Sequence, residues 1–331
     1  MIITFFEIQT WEKKVLAKRF AGHKLNFFPK PLNAETLALA KPSQIVSVFI
    51  GSKISAEIVR QLKKTKLIVT RSTGFDHIDL QACRRQKISV ANIPFYGENT
   101  VAEHTFALIL SLSRNIHLSY LRTIRDDFSI EGLRGFDLKD KTIGVVGAGH
   151  IGLHVIKIAR GFGLKVLAYD PDQNPFVAEV LEFSYVPLKE LLQKSDIITL
   201  HVPDNKATHH LINTKNIKLI KKGAILINTA RGGLVETDAL IQALDKKILA
   251  GAGLDVLEGE NLIKEEKQLL HGNQHSQKLI EFVKDHIILN HDKVVFTPHI
   301  AFYSQEALER ILETTVENIQ AFIKHQPKNL V

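Results

Sequence analysis

The sequence is poor in cysteine and in long apolar runs. Its 331 residues contain one cysteine, Cys83, which excludes a framework of internal disulfides and fits a reducing, cytoplasmic compartment. The longest apolar run, 106–112, is interrupted by Ser111 and is far shorter than the roughly 20 residues of a membrane-spanning helix. The first apolar stretch, 2–6, is followed at once by Glu7, so neither a signal peptide nor a membrane span is predicted.

Acidic residues are outnumbered by basic ones, 35 to 43, which gives a formal net charge of +8. The lysines occur in pairs such as Lys63-Lys64 rather than in long blocks. Basic runs with interleaved aromatic residues and zinc-finger spacings are both missing, so no nucleic-acid partner is predicted. The excess is explained either by a solvated surface or by a potential that attracts anions such as a dinucleotide or a carboxylate.

The length favours two domains, and the first hundred residues alternate strand and helix patterns. Near-continuous apolar runs predict strands at 2–7, 45–50, 66–71 and 88–93. Ser55 is predicted to be the N-cap of a helix. Thr100 and Glu103 form a possible capping box for a long apolar helix that reaches about residue 116. The charged segment 126–140 is predicted to cross the surface.

From residue 141 the alternation restarts, which again predicts a parallel sheet. Strands are predicted at 142–146, 165–169, 197–201, 224–228, 252–256 and 294–297, with a helix at 150–162. The segment 260–292 is long and polar and is predicted to be an irregular insertion. The final segment, 304–323, is predicted to be one amphipathic helix.

A glycine motif, Gly147-Ala148-Gly149-His150-Ile151-Gly152, lies between a predicted strand and a predicted helix. Gly147 permits a tight turn, Gly149 lets a pyrophosphate approach the backbone, and Gly152 lets the helix pack against the strand. The free N–H groups and the dipole at the helix N-terminus favour a phosphate there. The motif therefore predicts dinucleotide binding, and no phosphate-binding GxxxxGK[ST] loop fits.

Asp170 follows the next predicted strand, where a carboxylate can accept hydrogen bonds from the ribose hydroxyls of the cofactor and repels a 2′-phosphate. Pro171 and Asp172 add no positive charge. NAD is therefore predicted rather than NADP. Taken alone, Asp170 could be an ordinary turn residue in an Asp-Pro pair, and its meaning depends on the glycines before it.

Polar residues also follow three later strands of the same predicted sheet. These are Arg231, Asp255 with Glu260 behind it, and His299. Each has an ordinary alternative: Arg231 and Glu260 could be solvated charges and His299 a packed core histidine. Their joint position beyond successive strands is informative, because ligands of such sheets bind outside the carboxyl ends of the strands.

These residue types suit hydride transfer to a 2-oxo acid. An arginine fork matches a planar carboxylate, and a histidine can protonate the oxygen that becomes alkoxide-like. Glu260 is a candidate to orient His299 and to favour its imidazolium form. Asp255 is predicted to meet the nicotinamide end of the cofactor.

The chain resembles the D-isomer-specific 2-hydroxyacid dehydrogenases over nearly its whole length. The matching segments are RSTGFDHID (71–79), NIPFYGENTVAEH (92–104), GVVGAGHIG (144–152), LHVPDNKATHHLIN (200–213), NTARGGLVETDAL (228–240), GLDVLEGE (253–260) and TPHIAFYS (297–304). The resemblance implies an α/β fold of two doubly wound parallel-sheet domains with the active site in the cleft between them. A discontinuous flavodoxin-like substrate domain would comprise 1–98 and 300–331, and a Rossmann NAD-binding domain 99–299.

The resemblance also implies roles for single residues. Arg231 would bind substrate, His299 would be the acid/base, and Glu260 would be its carboxylate partner. The implied cofactor contacts are Gly147, Gly149, His150, Ile151, Gly152, Asp170, Val202, Pro203, Thr208, Thr229, Ala230, Arg231 and Asp255. The implied substrate contacts are Thr73, Gly74, Tyr96 and Phe302. Members of the family are usually homodimers, with the apolar helix after Asn99 near the interface.

The branch of the family that acts on D-lactate is favoured by Tyr96, by the Phe302-Tyr303 pair and by the long segment between Glu260 and Thr297. Tyr96 and Phe302 would form a small apolar wall for a methyl group. Ordinary packing is the alternative for the two aromatic residues. Other substrates stay open, namely glyoxylate, hydroxypyruvate or a branched 2-oxo acid. A non-enzymatic NAD-sensing protein is the alternative from another class. His271 and His275, near Glu265 and Glu266, could suggest a metal site, but none is predicted.

Overall fold

The computed structural model describes residues 1–258 and 276–331. Contacts within this part of the chain divide it into two compact units. Unit 1 joins Met1–Tyr96 to Ser304–Val331, and unit 2 is Gly97–Tyr303. The chain therefore leaves unit 1 after its first sheet and returns to it with its last helix.

Unit 1 is built on a five-stranded parallel sheet in the order β2-β1-β3-β4-β5. Its strands are β1 (Ile2–Phe5), β2 (Lys24–Phe27), β3 (Ile45–Val48), β4 (Leu67–Thr70) and β5 (Ser89–Ala91). The four predicted strands are present. The sequence does not reveal β2, because this edge strand is only half-buried and has no continuous apolar run.

Helices surround the sheet of unit 1. They are α1 (Thr10–Arg19), α2 (Leu37–Ala40), α3 (Ala56–Gln61), α4 (Leu80–Arg85) and the returning helix α12 (Gln305–Ile323). Ser55 is the N-cap residue of α3, as predicted. Ser304 begins α12 by accepting a hydrogen bond from the backbone N–H of Ala307 at 3.1 Å, which satisfies one of the free donors of the first turn.

Unit 2 contains a seven-stranded parallel sheet in the order β12-β11-β10-β9-β6-β7-β8. Its strands are β6 (Thr142–Val146), β7 (Lys165–Tyr169), β8 (Ser184–Tyr185), β9 (Ile197–Leu200), β10 (Ala224–Asn228), β11 (Leu249–Leu254) and β12 (Val294–Phe296). The prediction of two parallel, doubly wound sheets is confirmed. Central strands such as β9 are buried along their whole length, as expected where helices cover both faces.

The helices of unit 2 correct two predictions. They are α5 (Glu98–Ser113), α6 (Ile116–Thr123), α7 (His150–Gly161), α8 (Pro175–Val180), α9 (Leu188–Lys194), α10 (Thr237–Asp245) and α11 (Ser276–Leu289). The capping box at Thr100 was wrong, because α5 begins at Glu98 with Gly97 as N-cap and ends at Ser113. The prediction of an irregular segment at 260–292 was wrong where α11 forms.

Candidate active site

Six of the seven strands of unit 2 end level with one another. Register pairs one residue of each strand with the next, and the resulting row across the sheet is Phe296, Leu254, Asn228, Leu200, Val146 and Tyr169. The loops that leave this row contain the glycine motif, Asp170, Arg231, Asp255 and His299. These predicted cofactor and catalytic residues therefore share one edge of the sheet, where ligands of such folds bind.

The glycines of the turn after β6 serve different purposes. Gly147 has φ +98°, and a Cβ on it would collide with the carbonyl of His201. A Cβ on Gly152 would collide with the carbonyl of Gly147. A Cβ on Gly149, by contrast, would meet no protein atom within 4 Å, so packing within the protein does not demand this glycine. Gly149 is the N-cap of α7 without a side-chain cap, a geometry that suits a pyrophosphate approaching the backbone.

Asp170, directly after β7, is bonded to this turn. Its Oδ2 accepts a hydrogen bond from the backbone N–H of Ala148 at 2.8 Å, and its Oδ1 accepts one from Asp172 at 2.9 Å. The carboxylate therefore fixes the glycine turn in addition to the predicted ribose contact. Carboxylate oxygens can accept more than one bond each, so both roles are compatible.

The loop after β9 folds back on itself. The Thr208 hydroxyl donates to the carbonyl of Pro203 at 2.5 Å and accepts from the backbone N–H of Asn205 at 2.9 Å. Val202 and Pro203, two predicted cofactor contacts, are thereby held directly after the strand. Thr208 thus shapes the loop through its own side chain.

His201 connects the same loop to the sheet. Its Nε2 lies 2.8 Å from the Thr199 hydroxyl, and its backbone N–H donates to the carbonyl of Val146 at 2.7 Å. Desolvation of the imidazole lowers the pKa of His201 from 6.5 to about 3. The ring is therefore neutral at any physiological pH.

This lowered pKa predicts an acid-sensitive fold. Below pH 6.5 the unfolded chain takes up a proton at His201 that the folded chain does not, so the free energy of unfolding falls by up to about 1.4 kcal/mol per pH unit until about pH 3. We expect His201→Gln to remove about 2 kcal/mol of the loss between pH 7 and pH 5, measured by urea unfolding at both values. His325→Gln, an exposed control, should keep the whole loss; equal losses in all three proteins would contradict the assignment.

The loop after β10 presents Arg231. The buried Asn228 accepts from the Ala230 N–H at 3.1 Å and donates through Nδ2 to the Arg231 carbonyl at 2.8 Å. The Thr229 hydroxyl is 3.0 Å from that of Thr105 on α5. These bonds fix the backbone on both sides of Ala230, so Arg231 leaves the sheet in a defined direction.

Asp255, directly after β11, holds the loop of His299. Its side chain has no exposed surface. Oδ1 accepts from the Thr297 hydroxyl at 2.5 Å and from the Ile300 N–H at 2.9 Å, while Oδ2 accepts from the Ala301 N–H at 2.8 Å. The backbone N–H of His299 donates to the Asp255 carbonyl at 2.9 Å. The contact of the Asp255 side chain with the nicotinamide stays a prediction.

His104 on α5 is a member of this network that sequence reasoning missed. Its Nε2 lies 3.0 Å from the Thr297 hydroxyl and 3.6 Å from Asp255 Oδ1. Because that hydroxyl gives its only proton to Asp255, His104 Nε2 must donate to it. Burial lowers the pKa of His104, against the opposing effect of Asp255, so the ring acts as a neutral donor. Its only sequence signal was a polar residue inside an apolar helix.

His299 itself lies in the turn after β12 with φ +58°, a strained conformation for a residue with a Cβ. The Phe302 ring meets the His299 ring edge to face, with centroids 6.3 Å apart. The backbone strain is maintained by the bonds to Asp255. The structure therefore places Phe302, a predicted substrate contact, beside the predicted acid.

The remaining predicted substrate contacts lie in unit 1. Thr73 follows β4; its hydroxyl donates to the Ile93 carbonyl at 2.8 Å, and its carbonyl accepts from Asn92 Nδ2 at 2.8 Å. The Gly74 carbonyl accepts from Ser72, and the Tyr96 carbonyl accepts from Arg310 Nε at 2.6 Å. These loops are thus fixed at the carboxyl ends of the unit 1 strands.

Some predicted residues lie outside the described part of the chain. Glu260, the predicted partner of His299, is one of them, and the possible metal ligands His271 and His275 with Glu265 and Glu266 are others. Cys83, by contrast, is described and buried, and burial raises the pKa of its thiol to about 11. A protonated thiol is a poor nucleophile, which agrees with a structural role.

Comparison with known proteins identifies dehydrogenases of 2-hydroxy or 2-oxo acids as relatives of this chain. The model of the D-isomer specific 2-hydroxyacid dehydrogenase NAD-binding domain matches residues 106–301. The chain is 34% identical over 337 residues to the D-lactate dehydrogenase of Escherichia coli (strain K12), covering 100% of both. It is 42% identical over 299 residues to the D-specific alpha-keto acid dehydrogenase of Enterococcus faecium, covering 88% of each.

Among solved structures, the D-lactate dehydrogenase from Aquifex aeolicus complexed with NAD and lactic acid superimposes with a TM-score of 0.90 at 36% identity. The match covers 99% of this chain and 98% of that one. Within residues 1–258 and 276–331, none of the helices combines the length and apolarity needed to cross a bilayer.

Proposed function

We propose, on the premise that the chain belongs to the D-isomer-specific 2-hydroxyacid dehydrogenases, that it reduces pyruvate with NADH to D-lactate. Membership makes the protein an NAD-dependent oxidoreductase whose unit 2 contains the NAD-binding domain. We assign part of the substrate contacts to unit 1. The D-lactate dehydrogenases among its relatives support the choice of pyruvate.

The row of level strand ends is the observation that carries this proposal. It sets the glycine turn, the loop of Arg231 and the loop of His299 along one edge, and the loops of Arg231 and His299 are fixed by Asn228 and Asp255. A cofactor site, a carboxylate-binding cation and a proton donor beside each other are what reduction of a 2-oxo acid requires.

The chain's own residues act on the substrate in two ways. Arg231 binds the substrate carboxylate through its planar guanidinium. His299 gives a proton to the carbonyl oxygen as negative charge grows there, and we assign Glu260, by the resemblance of its segment, to orient His299. Bound NADH supplies the hydride that C2 receives. The balance is one hydride to carbon and one proton to oxygen.

Substrate selection is assigned to four further residues by their motifs. The backbone at Thr73 and Gly74 would bind the carboxylate together with Arg231, and Tyr96 and Phe302 would contact the methyl group. The edge-to-face packing of Phe302 on His299 supports its share in this assignment. A wall of aromatic rings favours a small apolar side chain by excluding water from it.

The relative at 42% identity, a D-specific alpha-keto acid dehydrogenase, favours a second candidate, a reductase of larger 2-oxo acids. The deciding experiment follows NADH oxidation with pyruvate, 2-oxobutyrate, phenylpyruvate, hydroxypyruvate, glyoxylate and 2-oxoisocaproate, and determines the configuration of the product. The highest kcat/KM on pyruvate with a D product would support the proposal. A preference for a larger acid would select the second candidate. Tight NADH binding without turnover of any would overturn both and indicate an NAD-sensing protein.

Asp170 should decide between the two nicotinamide cofactors. Asp170→Asn keeps a side chain that can accept from Ala148 but removes the charge that repels a 2′-phosphate. We expect the preference for NADH over NADPH in kcat/KM to fall at least about tenfold, equivalent to about 1.4 kcal/mol. The exposed Asp172→Asn is the matched control and should keep the parent preference. An unchanged preference in Asp170→Asn would show that another group selects the cofactor.

We also propose a homodimer formed through an apolar patch on unit 2. The patch comprises exposed side chains of α6 and the segment after it: Ile116, Tyr120, Leu121, Ile124, Phe128 and Ile130. Phe128 and Ile130 are 77% and 86% exposed, which is unfavourable for large apolar groups in water. Several large exposed apolar side chains within one short segment are typical of a protein interface.

The dimer is tested by light scattering on the parent chain and on Phe128→Ser/Ile130→Ser. The double variant removes these side chains from both protomers, which should weaken association by at least about 3–6 kcal/mol, enough to yield monomers at micromolar concentration. Phe176→Ser, an exposed residue outside the patch, should remain dimeric. A parent chain that is monomeric, or a double variant that stays dimeric, would refute the patch as the interface.

The single buried thiol supports placing the enzyme in the cytoplasm.

A further inference from the structure

Three side chains that the mechanism does not use meet in unit 2. His209 and His210 lie in the loop after β9, and Glu258 lies four residues past the end of β11. One ligand atom from each lies within 4.8 Å of the others. The two imidazoles stack with centroids 4.1 Å apart, and His210 Nε2 is hydrogen-bonded to Glu258 Oε1. We call these three residues the histidine cluster.

Neighbouring groups orient the histidine cluster. Asp204 Oδ1 lies 3.2 Å from His209 Nδ1. A proton on Nδ1 can be donated to this carboxylate, which leaves Nε2 as the ring nitrogen whose lone pair can bind a metal. Thr237 donates to Glu258 Oε2 through its hydroxyl at 2.8 Å, so Oε1 is the oxygen that faces the histidines. Carboxylates and hydroxyls that hold the far side of a ligand in this way are typical of metal sites.

We infer that the histidine cluster is a binding site for a divalent zinc ion, distinct from the catalytic residues. Two imidazoles and one carboxylate are a known zinc donor set that leaves the fourth position to water. Zinc–ligand bonds of about 2.0–2.1 Å place tetrahedral ligand atoms roughly 3.3 Å apart. His210 Nε2 and Glu258 Oε1, which are hydrogen-bonded, are already closer than this and would separate slightly and give up the shared proton when the ion binds. The ligand nitrogen of His209, within 4.8 Å of both, would approach by up to about 1.5 Å, which rotation of the exposed His209 side chain can supply.

The sequence alone predicted no metal here, because Glu258 is 48 residues from His210 and no compact ligand spacing exists. The level strand ends bring the two loops together. Gly232 and Gly233 make this approach possible, since a Cβ on Gly233 would collide with Asp204 and one on Gly232 with the carbonyl of Leu257. Bound zinc would cross-link the loop after β9 to the loop after β11, beside the loop that carries Arg231.

The inference is tested by binding rather than by turnover. The purified, metal-stripped full chain is dialysed against buffered free zinc and its metal content measured; Co²⁺ is then added in place of zinc and its visible spectrum recorded. We expect one zinc per chain at micromolar free zinc and the intense absorption of four-coordinate cobalt. His209→Asn and Glu258→Gln should each weaken binding at least tenfold, while Asp204→Asn should weaken it less.

Two controls separate the site from other histidines. His154→Gln is exposed on α7 and should bind zinc as the parent does, as should a His271→Asn/His275→Asn variant. Circular dichroism and NADH binding confirm that the variants are folded. Three outcomes would overturn the inference: no zinc uptake by the parent, unchanged uptake in both His209→Asn and Glu258→Gln, or a loss of uptake only in the His271→Asn/His275→Asn variant. In each case His210 and Glu258 would be a hydrogen-bonded pair only.

Discussion

Replacing His299 by alanine is expected to lower kcat for reduction of the 2-oxo acid about 10²- to 10⁴-fold, the usual contribution of a positioned proton donor. NADH binding should change little, because the glycine turn and Asp170 lie on other loops. Single-turnover measurement of NADH oxidation, with NADH affinity determined by fluorescence, separates the two effects. The loss should appear in kcat and kcat/KM together, as for an interaction made in the transition state.

The control for this prediction is His154→Gln, which removes an exposed histidine from the same unit and should leave kcat unchanged. A His299→Ala variant with more than a tenth of parent activity would exclude His299 as the proton donor. A variant that also loses NADH binding would instead show that the turn held by Asp255 has collapsed.

Arg231→Gln should lower kcat/KM for the 2-oxo acid roughly 30- to 5000-fold, since loss of one partner of a hydrogen-bonded charge pair costs about 2–5 kcal/mol. The rise in KM should exceed the fall in kcat, because the carboxylate is bound in the ground state as well as in the transition state. Steady-state kinetics at saturating NADH measure both. Arg231→Lys keeps the positive charge but loses the planar fork of N–H donors. Its kcat/KM should lie between the value of the parent and that of Arg231→Gln.

Arg84→Lys, at an exposed arginine of α4, is the matched control and should behave as the parent. If Arg231→Gln leaves KM unchanged and lowers only kcat, Arg231 stabilises the developing alkoxide rather than the substrate carboxylate. If neither constant changes, another cation binds the substrate.

The strands were predictable wherever burial on both faces leaves an unbroken apolar run. The predicted bounds of β6, β7 and β10 coincide with those observed. The edge strands β2 and β8 were not predicted, because half-exposed strands mix polar and apolar residues. The true start of α5 escaped as well, because its N-cap is Gly97 rather than a residue with a capping side chain.

The site was predictable as far as it follows from strand ends. A polar residue just past an apolar run can be recognised in the sequence, and Arg231, Asp255 and His299 were found in this way. His104 could not be found, because its partner Thr297 is 193 residues away and no periodicity signals such a pairing. The carboxylate bonds of Asp255 to the His299 loop were hidden for the same reason.

The return of α12 to unit 1 has a consequence for synthesis of the chain. Leu312, Val316 and Ile319 of this helix complete an apolar core with residues of β1, β3 and β4. On the ribosome these strands emerge long before α12, and all of residues 97–303 come between them. Unit 2 can therefore fold while still tethered, whereas the N-terminal sheet must wait with one apolar face only partly covered, by α1. That interval is when a nascent chain is most exposed to aggregation and to capture by chaperones.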